Sequence, residues 1–290
     1  MINKKTFDNF IKNNLVDFVG NNCFGYKISN RCYENYYNQK VFQKFVLEIQ
    51  LPKYNKFFNQ YDFGKGSELK EVNGRPPKMA SVASSSRFCY LALRDGYKQL
   101  FNGVDIEFEH GCNIKGIRGT GAQLDAYISK DNIYFEVKCH EIFDKHKIVM
   151  RKQYWDMLYG QENDFGLPYA KIPDVDKFEV EMSIFNIFKE KSMFDIKQFL
   201  CHLLGIASQK NRETEVKLVY LFFKPKMDSS KEREKVEEVF DRLKDEINNV
   251  FSSNPIQNFT KKNNIKLSAL AEYAKVMEPL KKENTISLFK

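Results

Sequence analysis

The sequence predicts an α/β protein in which a mixed central sheet is flanked by helices, in the core order helix, three strands, helix, strand. Three observations predict it. Three consecutive runs, "VDIEFE", "AQLDAYIS" and "NIYFEVK", alternate apolar and polar residues as half-buried strands do. Stretches with apolar residues at helical spacing stand before and after them. The later of these, "FDIKQFLCHLLGIAS", leads into a fourth β-rich run, "EVKLVYLFF", which Pro225 ends. A chain of 290 residues buries a sizeable core without needing disulfides or metals to hold it.

Residues 1–63 read as a helical region. "TFDNFIKNNLVDFV" places Phe7, Phe10, Ile11 and Phe18 on one stripe behind a Thr6 cap, and "ENYYNQKVFQKFVLEIQL" reads as a second helix ending before Pro52. Lysines and aromatics interleave here, a mixture that stacks bases in single-strand binders, but an aromatic helical stripe is more often core. Glycines and prolines in "YDFGKGSELKEVNGRPPK" break any helix and open the core region 64–228. Ser84 to Ser86 cap a helix with Cys89, Leu93, Tyr97, Leu100 and Phe101 on one face. In the strand that follows, Val104, Ile106 and Phe108 alternate with Asp105, Glu107 and Glu109. The segment 142–193 reads as an insertion, carrying the basic run "DKHKIVMRKQYW" and the punctuated "DFGLPYAKIPD". The next helix buries Ile196, Phe199, Leu200, Leu203 and Leu204. Residues 229–290 read as a helical tail packed on the core, with Val236, Val239, Phe240, Leu243, Ile247 and Val250 inward and a further short helix at "LSALAEYAKVM".

Composition narrows the function classes. Lys plus Arg number 46 against 38 Asp plus Glu, a net charge of +8. That balance suits a polyanionic partner, because each phosphate neutralised releases counterions; a Lys- and Asn-rich compositional bias would give the same number. Six scattered cysteines form no CxxC pair and no zinc-spaced cluster with histidine, which points to reduced thiols in a cytoplasmic protein. "MINKKTFDNFIKNN" contains no apolar signal run, and nowhere do about 18 uncharged apolar residues follow one another. A soluble chain with no membrane partner is expected.

The chemistry lies in the second and third strands. Side chains alternate faces, so Asp125, Tyr127 and Ser129 share one face of their strand, and Tyr134, Glu136 and Lys138 one face of the next. A two-residue turn at Asp131-Asn132 would set Asp125 opposite Lys138 and Tyr127 opposite Glu136. Asp125 and Glu136 then become diagonal neighbours roughly 7 Å apart at the backbone. A three-residue turn would put Asp125 on the far face. Carboxylate oxygens with water in the open positions suit Mg²⁺ or Mn²⁺, and such an ion activates water and stabilises charge at phosphorus. A lysine on the same face orients the attacking water or offsets phosphoryl charge. An Asp opposite a Lys is also an ordinary cross-strand ion pair.

"LDAYI" followed by "YFEVK" resembles the motif of the PD-(D/E)XK nuclease superfamily. With "GSEL", "SSSRFCYLAL", "IRGTGAQLDAYI", "FEVKCHE" and "CHLLG", the resemblance extends over residues 64–223 and is closest to type II restriction endonucleases of prokaryotes. It implies a restriction-endonuclease-like core and a Mg²⁺-dependent DNA endonuclease, with Mn²⁺ as substitute, acting on double-stranded DNA as a two-fold dimer in defence against foreign DNA. Asp125 becomes the motif aspartate, Glu136 the motif acid and Lys138 the motif lysine, with Asp125 and Glu136 on the metal. The acid that such enzymes carry on or before the first core helix falls on Glu68, which joins Asp125 and Glu136 on the metal. Leu124 stands where the motif has proline, a frequent variation.

Secondary candidates surround these residues. Arg118 in "GIRGTG" could hold a phosphate beside the scissile one, although a solvated loop arginine reads as well. His140 and Glu141 follow the motif lysine and could assist the water or touch DNA; strand-end polar residues are the plainer reading. Lys145, Lys147, Arg151 and Lys152 form the densest basic run and read as backbone contacts or as a solvated helix face. His202, beside Gln198 on its helix, reads as a hydrogen-bonded structural histidine. Two further functions fit the same residues: a non-catalytic nucleic-acid-binding module on this fold, and a repair or recombination nuclease acting on DNA structure.

Overall fold

The computed structural model describes residues 3–19, 21–63, 68–96, 105–114, 121–144, 146–151, 169–171, 177–187, 191–209, 214–227, 229–274 and 285–287. Helix α1 (Lys4–Val19) is capped by Asn3, whose Oδ1 accepts from the Thr6 amide at 2.9 Å, so Thr6 lies inside the first turn and is not the cap. Phe7 and Ile11 are buried as the stripe requires. The hairpin β1 (Phe24–Ile28) and β2 (Arg31–Tyr37) then corrects the expectation of an all-helical region. Glu34 to Tyr37 belong to β2, where Tyr33, Tyr36 and Tyr37 suit a strand, and Asn38 starts a new element. Asn38 caps α2 (Gln39–Ile49) through its side chain, and α3 (Asn55–Phe63) follows.

Ser84 accepts from the Arg87 amide at 3.1 Å and starts α4 (Ser85–Leu93). Tyr97, Leu100, Phe101 and Val104 lie outside the described residues. Strands β3 (Ile106–Cys112), β4 (Ala122–Ile128) and β5 (Ile133–Lys138) form an antiparallel meander. The insertion contains a small separate sheet, β6 (Val149–Arg151), β7 (Tyr169–Lys171) and β8 (Lys177–Val180), in the order β6-β8-β7. Helix α5 (Ile196–Ser208) leads to β9 (Val216–Pro225), which pairs in parallel with β5. Helices α6 (Ser230–Ser252) and α7 (Asn254–Lys262) carry the chain to β10 (Ile265–Ala274) and β11 (Thr285–Ser287). Among the described residues the central sheet runs β11-β10-β9-β5-β4-β3.

The expected helix at "LSALAEYAKVM" is therefore corrected to a strand over its described part. Ala, Leu and Glu are good helix formers, but β10 pairs with β9 along its whole length, from Ile265 opposite Val216 to Ala274 opposite Pro225. Tertiary pairing overrides local propensity in such a buried strand. The tail thus extends the main sheet as well as covering it.

Helices cover both faces. Phe88 of α4 packs edge-on to Phe223 at 5.3 Å, and Phe57 of α3 meets Phe108 at 4.9 Å on the same face. On the other face Phe199 of α5 meets Tyr220, and Phe251 of α6 stacks on Phe199 at 5.1 Å. Gly205 lets α5 press against the sheet, since a β-carbon there would meet those of Ala122 and Cys112 at 2.8 and 2.9 Å. This close seat fixes the first turn of α5 over the end of β5. No helix among the described residues is long and apolar enough to cross a membrane, and all six cysteines are free thiols.

Candidate active site

The turn between β4 and β5 differs from the expected one. Ladder pairs Ala126 with Phe135, Tyr127 with Tyr134 and Ile128 with Ile133 leave Ser129–Asn132 as the turn, a 3₁₀ segment closed by Asn132 at φ +51°. Asparagine tolerates that left-handed conformation better than most residues. Pairing has slipped by two residues from the expected register, and an even slip keeps every side chain on its face. Tyr127 therefore stacks on Tyr134 at 4.3 Å and does not oppose Glu136. Continued one step, the register sets Asp125 opposite Glu136 and not opposite Lys138.

At that step the strands part. The ladder ends at Ala126 and Phe135, and the Val137 amide donates to Asp125 Oδ2 at 2.6 Å. The carboxylate occupies the place where a carbonyl would have closed the ladder. On the other side of β4, Phe108 pairs with Ala126 and His110 with Leu124, so Glu109 stands opposite Asp125. Glu136 in turn pairs with Tyr220 of β9. One row across the sheet thus reads Glu109, Asp125, Glu136, Tyr220.

The row opens into a cleft of about 450 Å³ between the first turns of α4 and α5. Its walls include Ser84, Ser85 and Ser86 from α4, Gln198 from α5, and the carboxylates of Glu68, Glu109, Asp125, Glu136 and Glu141. Glu68 lies ahead of α4 and is buried; its Oε1 accepts from Lys78 Nζ at 2.9 Å, while Oε2 has no hydrogen-bond partner among the described residues. Burial, then the neighbouring Glu136 and Glu109 charges, push the Asp125 carboxyl well above the usual carboxylate range. Burial pushes Glu109 up to about 7, with Glu68 adding to the shift. These are carboxylates gathered where solvent cannot separate them.

Lys138 answers part of that charge. Its Nζ donates to Glu136 Oε1 and to Gln198 Oε1, each at 2.7 Å. Burial works against the ammonium, yet Glu136, Glu141 and Asp125 outweigh it and hold Lys138 above its usual range. His202 is buried against Glu136, its Nε2 3.6 Å from Oε2. That Nε2 donates to the Gln123 carbonyl at 3.1 Å, which leaves Nδ1 to accept from the Tyr220 hydroxyl at 2.9 Å. Desolvation lowers the His202 pKa, so the ring is the neutral Nε2–H tautomer.

Asp125, Glu136, Lys138, Glu68 and His140 thus share one cleft. Lys147 is exposed and does not line it. Arg151 ends β6. Arg118, Lys145 and Lys152 lie outside the described residues, as do Tyr154 and Trp155. Glu109, Lys78 and Gln198 are cleft residues that sequence reasoning missed. The signal for Gln198 is its i, i+4 spacing from His202 in an otherwise apolar helix. Glu109 has a backbone φ of +54° inside β3, and its place beside Asp125 follows from how β3 pairs with β4.

Among the described residues no group of three or more His, Cys, Asp or Glu side chains is arranged to hold a metal ion. The donor chemistry nonetheless fits a hard divalent cation that keeps most of its ligands as water: oxygen donors alone, an orphaned buried Glu68 oxygen, and carboxylates that raise one another's proton affinity. Comparison with protein-family models, curated proteins and solved structures finds no match.

Proposed function

We propose that the protein is a divalent-metal-dependent DNA endonuclease of the restriction type, built on a PD-(D/E)XK-like core. The observation that carries this reading is the meeting of Asp125, Glu136 and Lys138 at the point where β4 and β5 part. The order α4, β3, β4, β5, α5, β9, with helices on both faces of a mixed sheet, supports it.

Asp125 and Glu136, with Glu68 beside them, would hold Mg²⁺ or Mn²⁺. When bound, such an ion supplies activated water and charge neutralisation at phosphorus. Each residue of the chain then has a task. The Val137 amide fixes Asp125, so its free oxygen keeps one direction. Lys138 holds Glu136 Oε1, and the neutral His202 ring packs beside Oε2. Lys138, kept protonated by three carboxylates, is a cation that orients water and steadies phosphoryl charge rather than a general base. A phosphate entering the cleft meets the first turns of α4 and α5, whose amide ends favour anions, and the overall charge of +8 favours DNA approach. By the same resemblance, cutting leaves 5′-phosphate and 3′-hydroxyl ends, and a two-fold dimer cuts both strands.

A Mn²⁺ titration followed by electron spin resonance tests the reading. Saturable binding in the wild type, lost in Asp125→Asn, is expected. Absence of binding would favour a nucleic-acid-binding module that cuts nothing.

A further inference from the structure

Helix α1 reaches the cleft from the far end of the sequence. Asp8 on its inner side is only 8% exposed, and its Oδ1 lies 2.6 Å from Nδ1 of His140. His140 stands two residues beyond Lys138 and lines the cleft. Two more contacts tie the same helix to the same segment. Lys4 Nζ meets Asp144 Oδ2 at 2.7 Å, and the Phe7 and Phe143 rings approach to 4.9 Å. The lysine pair is solvent-exposed and contributes little. Phe7 is buried and supplies the packing, which leaves Asp8 as the buried polar group at this junction.

The basic side chains of the cleft explain what Asp8 does there. Among the described residues, Lys78, Lys138 and His140 line it. Lys78 is engaged by Glu68 and Lys138 by Glu136, so both charges are answered by acids within the same walls. His140 differs. Its carboxylate partner belongs to α1 and does not line the cleft. A carboxylate on Nδ1 fixes the ring's orientation. Nε2 has no partner among the described residues and is the nitrogen left for whatever fills the cleft.

We infer that Asp8 and His140 form a phosphate-holding pair, in which His140 Nε2–H donates to a non-bridging oxygen of the nucleic-acid backbone and Asp8 is the positioning residue. The N-terminal helix is then part of the site. This rests on the nuclease reading for its ligand, a DNA phosphodiester, but not on cleavage itself.

The test uses the full chain with ¹⁵N-labelled imidazoles, titrated with a short DNA duplex in EDTA and followed by NMR. The four histidines are assigned by substitution. The His140 Nε2 resonance is expected to move with duplex in the wild type. In Asp8→Asn that movement is lost and the duplex binds about tenfold more weakly, as expected for loss of a charge-assisted hydrogen bond. Asp8→Glu restores part of both. In Mg²⁺, Asp8→Asn is expected to raise KM for cleavage about tenfold with kcat within about twofold. Should Asp8→Asn not fold, His140→Gln gives the same binding comparison. A His140 resonance unmoved by duplex, or Asp8→Asn binding as tightly as the wild type, overturns the inference. If the wild type binds duplex through His140 but cuts nothing, the nuclease reading falls while the pair stands.

Discussion

The Val137 amide donates to Asp125 Oδ2 at 2.6 Å, at the first position where β4 and β5 no longer pair. One carboxylate oxygen therefore replaces a main-chain acceptor, and the other remains for chemistry. The same bond predicts how substitutions at Asp125 divide. Asp125→Asn keeps an acceptor for Val137 and removes one of the mutually repelling charges, so the metal-free variant should melt at or above the wild-type temperature while losing cleavage. Asp125→Ala orphans the Val137 amide and should cost about 1–3 kcal/mol. Thermal melts in EDTA distinguish the two; an Asp125→Asn variant much less stable than wild type would count against the described repulsion.

Stability should fall as pH rises through weakly acidic values. Glu109 has its folded-state pKa raised from 4.5 to about 7, so the folded protein binds more protons than the unfolded chain between those limits. Its penalty is absent below about pH 4.5, grows between there and about pH 7, and is complete above. The size is on the order of 3 kcal/mol. Denaturant unfolding of metal-free protein at a series of pH values checks this, and Glu109→Gln should flatten that part of the curve.

Lys138→Ala should abolish cleavage and leave duplex binding largely intact. It should also destabilise the fold by about 3 kcal/mol, because it leaves the buried Glu136 charge without its partner. Pairing it with Glu136→Gln should return most of the stability and none of the activity. A double-mutant cycle in denaturant measures the coupling; additive losses would mean that Lys138 and Glu136 do not share the energy their 2.7 Å contact implies.

His202 should show no titration at the ordinary histidine value, but only below it, because burial disfavours its charge. Imidazole NMR reads this directly. Tyr220→Phe removes the donor to Nδ1 and should cost about 1 kcal/mol in denaturant unfolding.

How much of this was written in the sequence depends on the range of the interaction. Period-two alternation placed β3, β4, β5 and β9 and put Glu136 and Lys138 on one face; Asp125 shares it because the turn has an even number of residues. The turn length was not legible: Asn132 accepts φ +51°, and nothing local to "SKDN" separates a two-residue from a four-residue turn. The alanines and leucines of β10 favour a helix, and only β9 beside it decides otherwise. Neither Glu109 in the cleft nor Asp8 behind it was legible: one depends on how β3 pairs with β4, the other on a contact spanning 132 residues.

The central claim is that the acids at the parting of β4 and β5 cut phosphodiesters with a divalent cation. Its most direct measurement is incubation of closed circular plasmid with purified protein and Mg²⁺, wild type beside Glu136→Gln, resolved on a gel. Nicked or linear DNA is expected from the wild type, none from the variant, and none from either in EDTA. Intact plasmid from folded wild type, across unmodified DNA from several sources, or equal cutting by Glu136→Gln, would contradict it.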